Sequence, residues 1–223
     1  MEVVLTGTGS PLPDANRAGP STLVKANDIH LLVDAGRGVV MRMAGAGTFP
    51  VFLRAVLITH LHSDHICDLN DVITTHWIMS QGNATLTVYG PQGTKEFVSR
   101  QLHALEADIG YRIEHHDELA EGPKVDVVEL SPNETFQLDD LSIHTAATMH
   151  APVRPTLGYR IEHESAVVAL VGDTIPCDGV DQLAVSADIY VQTVIRKDLV
   201  ELSPNSMFRD ILDYHSDVED AAQ

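Results

Sequence analysis

The stretch Thr59-His60-Leu61-His62-Ser63-Asp64-His65 carries three imidazoles and a carboxylate within a few positions. It follows Ala55-Val56-Leu57-Ile58, a short apolar run that reads as a buried strand, so the cluster sits on the loop leaving that strand. His60 and His62 are two apart, and extended backbone sends both rings to the same side. Asp64 and His65 follow where the chain turns toward a helix and can face a second point nearby. Nitrogen and oxygen donors offered to two neighbouring points suit a pair of borderline cations such as zinc. The plain alternative is a solvated loop that happens to be rich in histidine.

Three further strand ends carry candidate donors. The strand Leu141 to Met149 delivers His150, and Pro152 and Pro155 then restrict the loop that holds it. The strand Ala166 to Val171 ends at Gly172-Asp173-Thr174, and His30 to Val33 ends at Asp34-Ala35-Gly36. Asp34 could orient a ligand histidine by accepting its other ring N–H; it could equally cap the helix that follows. Taken alone, Asp173 could be a helix cap and His150 an ordinary loop imidazole. Strand ends converging on one rim would make a rigid platform for ligands.

The elements that must position these groups are legible as periodicities. Val3-Val4-Leu5 is a strand running into Thr6-Gly7-Thr8-Gly9, where the glycines read as a steric turn between strands more readily than as a phosphate cradle. Ser21 to Lys25 is a second strand, joined to the third by the turn signal Asn27-Asp28. Helices are expected over 37–47, from Ile66 to Trp77 as one amphipathic element, over 92–106 and over 204–214. Leu86 to Tyr89, Val125 to Leu130, Glu134 to Leu138, Leu157 to Glu162 and Ile189 to Val191 read as strands, with a hairpin turn at Asp139-Asp140. Of the remaining histidines, His76 reads as core or rim packing and His103 as solvated. His115 and His116 are adjacent, which points them apart on the surface, and His163 falls at an exposed turn.

Composition bounds the rest. A chain of 223 residues suits one domain, 1–223, with a sizeable core. The longest apolar runs are far too short to span a bilayer, and Met1-Glu2-Val3-Val4-Leu5 enters a strand at once, so a cytoplasmic protein with no membrane partner is expected. In that compartment Cys67 and Cys177 are expected as packed thiols, with a lesser case for soft metal ligands, and not as a disulfide. The formal charge of −18 argues against a broad basic surface for nucleic acid, although cations in a cleft can dominate the local field.

The order His-x-His-x-Asp-His closely resembles the metal-binding signature of the metallo-β-lactamase superfamily. Within it the chain is most similar to the ribonuclease Z branch. Gly7-Thr8-Gly9-Ser10-Pro11, Pro20-Ser21-Thr22-Leu23-Val24, Val33-Asp34-Ala35-Gly36, the His60 cluster, Gly158-Tyr159-Arg160 and Gly172-Asp173-Thr174 all match in order, over nearly the whole chain. The resemblance implies an α/β fold, the αβ/βα sandwich, and two zinc ions. His60, His62 and His150 would hold one ion. Asp64 and His65 would begin the second, with Asp173 bridging through its two oxygens. It also implies phosphodiester hydrolysis at the 3′ end of precursor tRNA and a possible homodimer. The branch's His-Ser-Thr motif resembles His215-Ser216-Asp217, which makes His215 the candidate proton donor to the leaving group; a helix-end histidine is the quieter reading.

The departures from the branch are specific. Its Gly-Leu-Pro-Gly segment is replaced by Ile66-Cys67-Asp68-Leu69-Asn70-Asp71, and its His-Glu-Ala-Thr stretch by Gln192-Thr193-Val194-Ile195. Only 22 residues separate His150 from Asp173, too few for the long basic arm that many members use to grip tRNA. The branch's final histidine ligand lies on a strand beyond the position of Gln223, so the chain reads as C-terminally short, lacking the family's last strand and helix, with its second metal site incomplete. Three functions are thereby in view: a ribonuclease Z-type endonuclease in which Asp64 ligates and takes a proton, a small-molecule phosphodiesterase or arylsulfatase-type esterase, and a non-catalytic binding protein.

Overall fold

A computed structural model describes residues 1–222. The chain divides into two compact units, Met1–Glu129 and Leu130–Gln223. The first is built on a six-stranded sheet whose strands lie in chain order: β1 (Glu2–Gly7), β2 (Ser21–Ala26), β3 (Ile29–Val33), β4 (Leu53–Leu57), β5 (Thr85–Gly90) and β6 (Lys124–Glu129). The first three are antiparallel, and β3 to β6 run parallel. The parallel half explains the unbroken apolar run at β4, since a strand covered on both faces has no need to alternate. Asn27, with φ 52°, makes the β2–β3 turn in the left-handed region that asparagine tolerates.

Helices α1 (Val39–Gly45), α2 (Ser63–Ile66), α3 (Leu69–Met79), α4 (Thr94–Ala104) and α5 (Glu106–His115) complete this unit. Leu23, Leu32, Val56 and Val88 from the sheet close one apolar core with Met43, Leu69, Ile73 and Val98 from the helices. The single helix expected from Ile66 to Trp77 is two, broken at Cys67 and Asp68. Asp68 is taken up by another segment: its N–H donates to the Ala35 carbonyl at 3.0 Å, and its carboxylate accepts from the Gly38 N–H. Helix α5 left no apolar stripe to read, because none of its residues is buried; an Arg112–Asp108 pair one turn apart, at 2.9 Å, supports it instead.

The second unit carries a five-stranded sheet in the order β11-β10-β9-β8-β7, where β7 is Thr135–Leu138, β8 Leu141–Ala147, β9 Leu157–His163, β10 Ala166–Leu170 and β11 Ile189–Val191. Only β10 and β11 pair in parallel. Helix α6 (Asp178–Ala184), too short to show a period in the sequence, packs Val180 and Leu183 on Ala146, Ala169 and Val171. The helix expected over 204–214 is replaced by α8 (Ser206–Arg209) and a 3-10 turn, Asp210–Asp213, preceded by α7 (Lys197–Glu201). None of these three buries a residue, so no apolar face sustains a longer helix. Among the described residues no helix is long and apolar enough to cross a membrane.

Backbone segments of the first unit meet closely at Gly36. A Cβ there would fall 2.4 Å from the Asp64 carbonyl oxygen and 2.5 Å from the Gly19 carbonyl carbon. Both obstacles are main chain and cannot rotate away. Gly36→Ala is therefore expected to cost about 1–3 kcal/mol, seen as a lower urea midpoint; an unchanged midpoint would show that these loops are not in close contact.

Candidate metal centre

In the first unit the loop after β4 brings its imidazoles together as their spacing implies. The rings of His60 and His62 lie edge to face with centroids 4.9 Å apart, and those of His60 and His65 are 4.1 Å apart. His60, Asp64 and His65 are buried, and His62, the residue before α2, is half-buried. Asp34 stands behind this loop and is 4% exposed. Its Oδ2 accepts from Nδ1 of His65 at 2.7 Å. Its Oδ1 accepts from the Thr59 N–H at 2.8 Å, and the Thr59 hydroxyl donates to Oδ2 at 2.8 Å. Asp34 thus supports the histidine loop and does not cap α1, whose preceding residue is Gly38.

With Nδ1–H given to a carboxylate, the basic nitrogen of His65 is Nε2, the form in which an imidazole binds a metal. Asp34 holds φ 61°, an unfavourable region for a residue with a Cβ, and is kept there by backbone bonds on both sides. Its own N–H donates to the Leu57 carbonyl at 2.9 Å, and the Ala35 N–H donates to the His65 carbonyl at 2.7 Å.

In the second unit His150 lies beyond the end of β8, which stops at Ala147 and not at Met149 as expected. His150 donates Nδ1–H to the Tyr214 carbonyl at 2.8 Å, which again makes Nε2 the basic nitrogen. That Nε2 lies 3.8 Å from Oδ2 of Asp173, and Nε2 of His215 lies 3.2 Å from the same oxygen. No helix starts at Asp173, so the capping alternative does not hold there. Thr174, fully buried, explains why these loops stay together. Its hydroxyl accepts from the Met149 N–H at 2.9 Å, while its carbonyl accepts from both the N–H and the hydroxyl of Ser216.

No sequence pattern marks Thr59, Thr174 and Ser216 as supporting groups. The one signal for them was adjacency: each is the chain neighbour of His60, Asp173 or His215. Asp217, which stands where the branch has threonine, accepts from the N–H groups of Glu219 and Asp220 at the last 3-10 turn. Those bonds, the Asp220 one foremost, hold its carboxyl below the usual range.

The remaining candidates separate cleanly. His76 is buried on α3, where burial lowers its pKa, in keeping with a packing role. His103, His115 and His116 are exposed, but the rings of the last two do not point apart; they meet edge to face with centroids 4.8 Å apart. His163 corrects the expectation of an exposed turn. It ends β9 on the same face as Tyr159 and Ile161, is 5% exposed, and pairs with Asp140 at 3.2 Å; Glu164, with φ 53°, takes the turn. Cys67 and Cys177 form no disulfide. Burial pushes the Cys67 thiol up to about 11, as expected of a packed thiol.

His60 and His62 in the first unit, and His150 and Asp173 in the second, are residues of types that could hold a metal ion. Three imidazoles and one carboxylate are a ligand set that zinc accepts, which is the fit that matters for a cofactor.

A family model described as anti-Pycsar protein Apyc1 matches residues 1–215. Ribonuclease Z of Mycolicibacterium gilvum (strain PYR-GCK) is 52% identical over 225 residues, covering 100% of this chain and 79% of that protein. Ribonuclease Z of Mycobacterium bovis (strain BCG / Pasteur 1173P2) is 50% identical over 224 residues, covering 100% and 80%. Among solved structures, the short form of human tRNase Z superposes with a TM-score of 0.76 at 19% identity, over 100% of this chain and 86% of that one. The metallo-β-lactamase fold protein YhfI from Bacillus subtilis gives 0.64 at 23% identity, over 84% and 68%. At those identities the structural likeness is one of fold, and it bears out the expected fold class. Sequence identity over the full length carries the kinship further: the chain belongs to the ribonuclease Z-like family of metallo-β-lactamase-fold proteins, and the anti-Pycsar model describes the same stretch.

Proposed function

We propose that this protein is a zinc-dependent phosphodiester hydrolase. What supports the reading is the pair of donor groups, His60 and His62 in the first unit and His150 and Asp173 in the second, in a chain half identical to ribonucleases Z. In this reading His60, His62 and His150 hold one ion through nitrogen. Asp64 and His65 begin a second position, with Asp173 shared between the two, and both units act as one catalytic domain. Zinc bound there would polarise the phosphoryl oxygens and lower the pKa of a bound water to about 7.

The protein's own groups do the rest. Asp64, 7% exposed beside His65, takes up the proton lost from the attacking water. His215 donates Nδ1–H to the Ile211 carbonyl at 3.1 Å and faces Asp173 through Nε2. Nε2 is then the nitrogen through which His215 would give a proton to the departing oxygen.

The substrate we assign first is the 3′ extension of precursor tRNA, because the relatives at this identity are named ribonuclease Z. Pairing of two copies, with the partner helping to bind RNA, belongs to the same reading. A second reading, a small cyclic nucleotide, is favoured by the anti-Pycsar family model. It also draws on the span between His150 and Asp173, which is filled by the β9–β10 hairpin and leaves no arm for RNA, and on the net charge of −18.

His62→Ala and Asp173→Ala are expected to abolish turnover of bis(p-nitrophenyl) phosphate while leaving the circular-dichroism spectrum and melting temperature near wild type. Undiminished turnover by either variant would refute the ligand assignment. His215→Ala should lower kcat by about 10²–10⁴ on a substrate with an alkoxide leaving group, and far less on a p-nitrophenyl ester, whose phenolate departs without help. Equal losses on both would remove His215 from proton transfer. Cleavage of a 3′-extended precursor tRNA, measured beside a panel of cyclic mononucleotides, separates the two substrates: processing of the tRNA alone supports the first, and cyclic-ring opening alone supports the second.

A further inference from the structure

Thr59 has four polar contacts, and their donor and acceptor roles leave a single solution. Its N–H donates to Oδ1 of Asp34 at 2.8 Å. Its hydroxyl lies 2.8 Å from Oδ2 and 3.1 Å from Oδ1 of the same carboxylate. Its hydroxyl oxygen is also 3.0 Å from Nδ1 of His60. A hydroxyl has one proton, and a carboxylate only accepts, so that proton is committed to Asp34. The oxygen then faces His60 with lone pairs alone, and Nδ1 of His60 must bring the hydrogen.

We infer that Thr59 is a positioning residue: it relays the buried carboxylate of Asp34 to His60, holding that ring as the Nδ1–H tautomer with Nε2 turned to a metal. The inference rests on the zinc reading given above and deepens it. Asp34 reaches His65 directly, at 2.7 Å, and His60 only through this hydroxyl. One carboxylate therefore sets the ring orientation of two ligands, and only one of the two paths runs through Thr59. Thr59 is 2% exposed, so no solvent molecule replaces the relay when the hydroxyl is lost. Valine keeps the shape and removes the hydroxyl, whereas serine keeps the hydroxyl and removes the methyl group.

The test is zinc affinity of the full chain, measured by competition with a chromophoric chelator for wild type, Thr59→Val and Thr59→Ser. Thr59→Val is expected to bind zinc 10–100-fold more weakly, the usual effect of losing a group that orients a ligand imidazole. Thr59→Ser is expected to stay within about threefold of wild type on the same grounds. Equal affinity for Thr59→Val and wild type overturns the relay, whereas a wild type that binds no zinc overturns the underlying reading instead. Should Thr59→Val fail to fold, nitrogen-15 correlation spectra of the wild-type imidazoles decide the matter: Nδ1–H on His60 in the zinc-loaded protein supports the relay, and Nε2–H contradicts it.

Discussion

One buried carboxylate organises the histidine loop of the first unit. Asp34 is 4% exposed and accepts from the imidazole of His65 and from both the N–H and the hydroxyl of Thr59. Burying a carboxylate is costly unless several donors compensate it, and these are the donors. The same requirement reverses into a constraint: Thr59 and His65 must stand where Asp34 can reach them, which fixes the two ends of the stretch containing His60, His62 and Asp64. The left-handed backbone of Asp34 shows the cost of aiming that carboxylate inward at the end of β3. Gly36, two residues on, lets the Asp64 backbone and the Gly19-Pro20 turn close against the same segment.

The second unit solves its own version of the problem with hydroxyls. Thr174 joins the segment before His150 to the Gly172-Asp173 turn, and Ser216 joins that turn to the loop bearing His215. His150 and His65 are oriented in the same way, each by giving away Nδ1–H, although the acceptor is a main-chain carbonyl in one case and a carboxylate in the other. Proteins that bind metals through histidine need this second layer, since a ring that can rotate or change tautomer is a poor ligand. Short neighbours of His60, Asp173 and His215, namely Thr59, Thr174 and Ser216, hold these segments here.

Much of this was readable from residue order. The spacing of His60 and His62 implied rings on one side, and they meet at 4.9 Å. The end of β3 at Val33 is visible as an apolar run, and that of β4 to within one residue, since the run reaches Ile58 and the strand stops at Leu57. What escaped was decided by tertiary bonds or by absent burial. The break between α2 and α3 depends on Asp68 binding the backbone of residues 35 and 38, which no local pattern announces. Helix α5 has no buried face, and α6 is too short to show a period. His163 was assigned to a turn because Glu164 and Ser165 follow it; pleat alternation from Tyr159 puts it inside. The supporting roles of Thr59 and Thr174 depend on which partner each hydroxyl meets, and that is set by the fold alone.

The most direct measurement is the zinc content of the purified chain by elemental analysis, taken before and after dialysis against a chelator, with Asp34→Asn treated identically. An asparagine can still accept from Thr59, but it supplies no anion to His65. Wild type should retain zinc through dialysis and Asp34→Asn should lose most of it, with both proteins melting cooperatively. A wild-type chain that carries and retains no zinc, or an Asp34→Asn chain that holds it equally well, would contradict a metal centre built on that carboxylate.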